Sequence, residues 1–306
     1  MRIVLGLETF PPEAAGGVVA LGAFDGIHLG HRKILGVAAE RARALGVPSL
    51  VCTFDPRPVE VLQPDRAPLP ITTLAERLEL IAEVGIDTTV VLPFTRAVAE
   101  VEPEAFIDEV MLRRLRAREI VVGFNHRFGR RARGDVAMLQ ALAGQRGFLA
   151  RVVPPLSVEG DPVSSTEIRL ALQRGDLERA SRLLGRQYSL AGTVVRGAGR
   201  GRLLGFPTAN VAPERPPLVP LGVYACRARL RGIGQKAVVN LGRQPTFGEN
   251  EVAVEAHLID FQGEIYGERL ALALVRRLRE EMKFPSVDAL RHQIAADAAE
   301  ARRILD

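Results

Sequence analysis

Two hydrophobic rhythms follow one another along the chain. From residue 18 to about 156, short runs rich in β-branched residues (VVALGAF, SLVCTF, TTVVLPF, EIVVGF and ARVVPPL) alternate with longer stretches of helical pattern. The latter predict helices from about His31, around Leu74 to Val84, around Pro103 to Leu115 and around Asp135 to Gln145. Strands separated by helices imply βαβ units and a parallel sheet covered on both faces, a Rossmann-like α/β arrangement. Two further helical stretches, STEIRLALQRG and DLERASRLLG, lead to Gly185, which reads as a helix stop. Beyond it the strand candidates YSLAGTVV, GVYACRARL, QKAVVNLG, VAVEAHLID and ERLALALVRRL follow one another without helices, separated by turns rich in Gly and Pro. That pattern predicts an antiparallel barrel or sandwich. The last stretch, Ser286 to Ile304, predicts an amphipathic helix with Val287, Leu290 and Ile294 on the face that packs against the barrel. The expected division is 1–185, an α/β Rossmann-like nucleotidyltransferase-type domain, and 186–306, an antiparallel β-barrel with a C-terminal helix.

Composition narrows the function classes. The chain has 306 residues, 47% hydrophobic and 25% charged, a globular balance with enough length for two cores. No apolar run is long enough to cross a membrane, and MRIVLGLETFPPEA lacks the layout of a secretory signal, so a cytoplasmic protein is expected. Cys52 and Cys226 stand far apart in apolar runs with no CxxC pair, which argues against a zinc site or a disulfide framework. The net charge of +5 and pI near 9.7 invite a nucleic-acid reading. Basic and acidic residues balance through Gly185, however, and Lys33, Lys236 and Lys283 are the only lysines among the cations, which fits a compositional bias better than a basic face. The expected partners are small molecules, with neither nucleic acid nor membrane among them.

The strongest local signal is LGAFDGIHLGHRKIL, residues 21 to 35. A strand ends in a Gly-rich turn and a helix opens with His28 and His31, three apart and so on one face, beside backbone N–H groups that lack intrahelical partners. Such a place binds anions: two imidazoles and a helix N-terminus suit a triphosphate and the charge that develops on an α-phosphate. Taken alone, HxGH is equally compatible with two surface histidines at a helix cap. Further on, the Ser164-Ser165-Thr166 turn offers hydroxyls at a helix start, and Arg169 offers a planar fork for phosphate oxygens. In the second half, Gly197, Gly199, Gly201 and Gly205 allow a loop to curl around a polyphosphate. Thr208 and Asn210 are two apart, so an extended chain turns both side-chain oxygens one way, a hard donor pair suited to Mg²⁺ on nucleotide phosphates.

These segments, with TFDPRP (53–58), VGFNHRFGRRARGD (122–135), SSTEIR (164–169), GFPTAN (205–210), VVNLGRQPTFG (238–248), VEAHLIDF (254–261) and IYG (265–267), resemble in order the bacterial bifunctional riboflavin kinase/FAD synthetase family. The resemblance covers essentially the whole chain and includes no KMSKS-like motif, which disfavours an aminoacyl-tRNA synthetase. It implies an enzyme that phosphorylates riboflavin to FMN with ATP and then adenylylates FMN to FAD, releasing pyrophosphate, with Mg²⁺ in both steps. It implies catalytic roles for His28, His31 and Glu255. By the same resemblance Gly22, Phe24, Asp25, Asn125, Ser165, Thr166 and Arg169 bind ATP in the first half, the glycine loop binds ATP in the second, and Thr208 and Asn210 hold the metal. Phe128 has two readings, a ring stacked on the flavin or a core side chain. Glu268, the rival base, reads as a solvated strand-edge charge, and His257 as structural. Two positions depart from the family pattern: Arg57 where His is usual, and His126 where an aromatic is usual. They leave open a kinase active in the second half only, while a non-catalytic flavin-binding regulator is the rival from another class.

Overall fold

The computed structural model describes residues 1–197, 201, 204–243 and 252–306. The chain divides into two compact units, Met1–Ser165 and Thr166–Asp306. In the first unit β1 (Arg2–Leu5), β2 (Val18–Leu21), β3 (Ser49–Asp55), β4 (Thr88–Pro93), β5 (Glu119–Gly123) and β6 (Leu149–Val153) form one parallel sheet in the order β1-β4-β3-β2-β5-β6. The five runs read as strands from the sequence are β2 to β6. β1 was not expected, and its four residues bury a single side chain, Val4. The central strands are buried on both faces, with every residue of β2 inside, which is why they read as continuous apolar runs rather than alternating ones.

Helix α1 (Leu29–Leu45) lies over β2, β3 and β5 and packs through Leu35, Ala38, Ala39 and Ala42. It stops at Gly46, whose φ of 63° only a glycine adopts cheaply. Short α2 (Pro58–Leu62), α3 (Leu74–Ala82) and α4 (Arg96–Ala99) follow. The helix expected around Pro103 starts as α5 (Pro103–Ala105) and continues as a π-helix over Phe106–Arg114, closed by Leu115 N–H donating to Val110 O at 3.0 Å. Phe106, Ile107, Met111 and Leu115 from this stretch join Leu139 and Leu142 of α6 (Val136–Arg146) in the core on one side of the sheet. The hairpin of β7 (Ser157–Val158) and β8 (Asp161–Pro162) leads into α7 (Ser165–Gln173) and α8 (Leu177–Leu184). Both helices count with the second unit beyond Ser165, and α8 packs on its sheet. Gly185 ends α8 in the left-handed conformation, φ 72°.

The second unit is a closed antiparallel barrel, β10-β13-β12-β11-β14-β9, built from β9 (Ser189–Val195), β10 (Ala209–Pro213), β11 (Gly222–Leu230), β12 (Ile233–Arg243), β13 (Val252–Leu258) and β14 (Arg269–Arg279). Closure gives every strand two neighbours and leaves no edge. Alternate residues fill the interior: Val254, Ala256 and Leu258 of β13, and Leu270, Leu272 and Leu274 of β14. β11 and β12 are joined by a two-residue turn, Arg231 and Gly232, with φ of 50° and 80°. The C-terminal helix α9 (Val287–Leu305), capped by the Ser286 hydroxyl accepting from Ala289 N–H at 3.1 Å, covers the outer face at Val223, Ala225 and Val238. Its buried stripe differs from the predicted one. Ala298, Ala301 and Leu305 make the contact, Val287 is 63% exposed, and Asp297 is buried in an ion pair with Arg279 at 2.8 Å.

Candidate active sites

In the parallel sheet the chain winds outward from β2 through β3 to β4, and β5 then joins on the other flank of β2. The order therefore reverses between β2 and β5, and in open α/β sheets ligands bind at the carboxyl ends of the strands at such a reversal. Residues 22 to 28 leave β2 there, and residues 124 and 125 leave β5. The turn after β2 folds back on itself, with Phe24 at φ 53°, Gly26 at 88° and Ile27 at 37°. It delivers His28 to the cap of α1, where Nδ1 accepts from His31 N–H at 3.2 Å. An accepting Nδ1 places the proton of the neutral ring on Nε2. The two imidazoles stack, centroids 3.6 Å apart and 16° between planes, so both present their edges to one place.

The rest of the motif holds this stack. Phe24 is 2% exposed and meets the His31 ring edge-on at 5.3 Å. A Cβ on Gly22 would come within 3.0 Å of the Phe24 ring, and one on Gly30 within 3.2 Å of the His28 ring, so both glycines make room for aromatic groups. The Asp25 carboxylate is buried and accepts from the N–H groups of Ile71 at 3.0 Å and Thr72 at 3.2 Å. It also pairs with Arg57 at 2.8 Å. Arg57, the departure in TFDPRP, is itself buried and donates to Glu60 and to Pro68 O, each at 2.7 Å. Its fixed charge thus fastens the loop after β2 to the segment after β3. Ser165 Oγ donates to Asp25 O at 3.0 Å. The first unit brings together Gly22, Phe24, Asp25, His28, His31 and Ser165, with exposed Asn125 at the end of the neighbouring strand. Thr166 and Arg169 lie on α7, in the second unit.

Also in the first unit is a largely apolar cavity of about 420 Å³ lined by Leu21, Phe54, Phe94, Phe106, His126 and Phe128 among others. Phe128 is 7% exposed within the core and also forms part of the cavity wall. A Cβ on Gly134 would overlap the Phe128 ring at 2.7 Å, so that glycine fixes the ring's place. His126 stacks on Phe128 with centroids 5.9 Å apart. In the RFGRRAR loop, Arg130 and Arg133 pair with Glu102, and Arg127 pairs with Asp135. Arg131, at φ 52°, lines the cavity.

In the barrel, register assembles the second site. Glu255 on β13 is directly opposite Asn210 on β10 and, on its other side, Asn240 on β12. Opposed residues share a face with Cβ atoms about 4.5–5.5 Å apart, so an acid lies between two amides on three adjacent strands. Gly197 and Gly201 lie close to Asn210 and Thr208. A Cβ on Gly197 would fall 2.0 Å from Asn210 Nδ2, and one on Gly201 would fall 2.8 Å from Thr208 Oγ1. Gly205 adopts φ 84°, and Gly199 lies outside the described residues, as do residues 244–248 of the VVNLGRQPTFG segment. His257 Nδ1 is 2.9 Å from Pro207 O and its ring meets Phe206 edge-on, which steadies the turn carrying Thr208. Glu268 is engaged by Arg231 at 2.7 Å, and that hydrogen bond holds its carboxyl below the usual range. Asn240 was not singled out in the sequence; only the pairing of β12 with β13 reveals it.

The FAD synthetase family model matches residues 10–167, and the riboflavin kinase model matches residues 184–305. The chain is 37% identical over 305 residues to the bifunctional riboflavin kinase/FMN adenylyltransferase of Pseudomonas fluorescens, covering 99% of this chain and 98% of that one. The chain belongs to the bifunctional riboflavin kinase/FMN adenylyltransferase family. A second family member, from Bacillus subtilis (strain 168), is 38% identical over 297 residues, covering 95% of this chain and 93% of its own. A solved Streptococcus pneumoniae structure, named a macrolide-efflux protein, matches at TM-score 0.88 and 31% identity over 99% of both chains. That name belongs to that protein; the two family models and the relatives named above agree with one another. Among the described residues no helix is long and apolar enough to cross a membrane.

Proposed function

We propose that this protein makes FAD from riboflavin in two ATP-dependent steps, with the activities divided near Gly185, in the cytoplasm, on small-molecule substrates alone. The observation that supports the reading is the presence of two separate clusters of polar side chains in a chain whose halves match the two family models: the stacked histidines at the sheet's reversal and the Asn210–Glu255–Asn240 row beside Gly197.

In the barrel the 5′-hydroxyl of riboflavin attacks the γ-phosphorus of ATP, giving FMN and ADP, and Glu255 accepts the hydroxyl proton. Gly197, Gly199 and Gly201 let the loop backbone approach the polyphosphate. Thr208 Oγ1 and the Asn210 amide oxygen are hard, neutral donors that fit Mg²⁺, an ion that keeps several waters and phosphate oxygens rather than a full protein cage. Held by these oxygens, Mg²⁺ would supply positive charge to the phosphates. Glu268, occupied by Arg231, is not the base.

In the first unit a phosphate oxygen of FMN attacks the α-phosphorus of ATP, and pyrophosphate leaves. His28 donates from Nε2 and, with His31 and the opening N–H groups of α1, stabilises the charge that builds on the α-phosphate and leaving group. Gly22, Phe24 and Asp25 act by shaping the loop. Asn125 and Ser165 complete the ATP contacts within the first unit, and Phe128 presents its ring to the flavin in the apolar cavity. No covalent enzyme intermediate is required, so positioning and charge stabilisation supply the rate.

Chromatography of products from riboflavin, ATP and Mg²⁺ tests both steps. FMN should appear first and FAD after it. A His28→Ala/His31→Ala variant should stop at FMN; FAD at the wild-type rate from that variant would overturn the assignment of the first site.

A further inference from the structure

One polar group in the apolar cavity of the first unit lacks a hydrogen-bond partner. His126 Nε2 is buried and has none among the described residues, while the ring lies nearly parallel to Phe128, 18° between planes. The backbone of His126 is fixed by its N–H donating to Gly123 O at 3.1 Å. Burial keeps the imidazole uncharged, drawing its pKa from 6.5 down to about 4. A neutral ring has one donor and one acceptor nitrogen, and an unsatisfied one costs stability that a phenylalanine in the same place would not cost. The packing role of the ring therefore does not account for its nitrogen, whereas a ligand in the cavity does.

The cavity narrows the ligand. Its remaining walls include Leu21, Phe54, Phe94, Phe106 and Phe128, which suit a flat aromatic body. Arg127 and Arg131 also line it, but both are exposed, and their charge serves an anion rather than a ring edge. A flavin ring system has an apolar dimethylbenzene end and a pyrimidine end bearing two carbonyls and an N–H. The pyrimidine end offers acceptors to a donor and a donor to an acceptor, so it can satisfy either tautomer of His126. We propose that His126 reads the pyrimidine edge of FMN through Nε2 and so distinguishes a flavin from an equally flat, apolar ring. The proposal rests on the reading of the first unit as the FMN adenylyltransferase.

His126→Phe keeps an aromatic ring against Phe128 and removes both nitrogens. In the full-length protein this variant should raise the KM for FMN in FAD formation about tenfold, the worth of one buried hydrogen bond, and leave the KM for ATP unchanged. The rate of FMN formation from riboflavin in the same preparation should also stay the same, and the unchanged KM for ATP in FAD formation checks that the first unit is folded. FMN methylated at N3, where the methyl group crowds both carbonyls, should be disfavoured about tenfold by the wild type and much less by the variant. His126→Gln, which retains a donor and an acceptor, should keep the KM for FMN closer to wild type than His126→Phe does. An unchanged KM in His126→Phe, an unchanged preference against the methylated flavin, or a Gln variant no better than Phe would overturn the inference while the function stands. Wild-type protein that makes no FAD from FMN and ATP would overturn both.

Discussion

The two sites are assembled by opposite means. In the parallel unit, His28, His31, Phe24 and Asp25 come from a single stretch of eight residues, and their arrangement is set by local backbone: three left-handed residues, one helix cap and two stacked rings. In the barrel, Asn210, Asn240 and Glu255 come from three strands and meet only through register. A loop-built site depends on what anchors the loop. A register-built site depends on the closed sheet, where a slip of one residue would turn the row to the other face.

The sharpest way to separate the two is Glu255→Gln. It should lower FMN formation by about 10²- to 10⁴-fold, the usual worth of a general base, while FAD formation from supplied FMN continues. Near-normal FMN formation would move the base elsewhere. Next in size is Arg57→Met, which removes the guanidinium that pairs with buried Asp25 at 2.8 Å. Removing one partner of a buried pair costs about 3–5 kcal/mol, so the first unit should melt earlier in calorimetry and FAD formation should fall, with riboflavin phosphorylation retained. Gly197→Ala places a carbon against the Asn210 amide and should cut FMN formation about tenfold without touching FAD formation from FMN; equal losses in both would deny the loop its place over Asn210.

A separate effect is one of pH. His126 titrates near 6.5 when unfolded and near 4 when folded, so between those values the unfolded chain binds more protons. Its contribution to stability is complete above about pH 6.5 and is lost as pH falls towards 4. Thermal unfolding of wild type followed from pH 7 to 4 should show a steeper loss for the first unit than in His126→Phe.

Legibility in the sequence follows the same division. The HxGH stretch could be read because contiguous residues carry it, whereas Asn240 could not, since nothing within β12 shows that Glu255 lies opposite. The Asp25 carboxylate accepts from the Ile71 and Thr72 amides and from Arg57, partners about thirty to fifty residues away that a local motif does not reveal. β1 escaped notice because one buried valine leaves no periodic signal. The contact face of α9 was misplaced because two alanines and the terminal Leu305, not the larger Val287 and Leu290, form it. The π-helix over Phe106–Arg114 keeps the same apolar residues as an α-helix and differs only in how they are wound.

The turn between β11 and β12 bears on how this barrel can be altered. Arg231 and Gly232 both have positive φ, the geometry that matches the twist of a tight hairpin, and the ladder resumes at once with Leu230 opposite Ile233. Length added between those two residues enters no strand, so the count of residues from Asn240 to its partners stays the same. Variation in length is thereby confined to the tips of hairpins. For protein engineering, this tip is a tolerant place to graft a peptide tag, whereas the same insertion within β12 would displace Asn240 from Glu255.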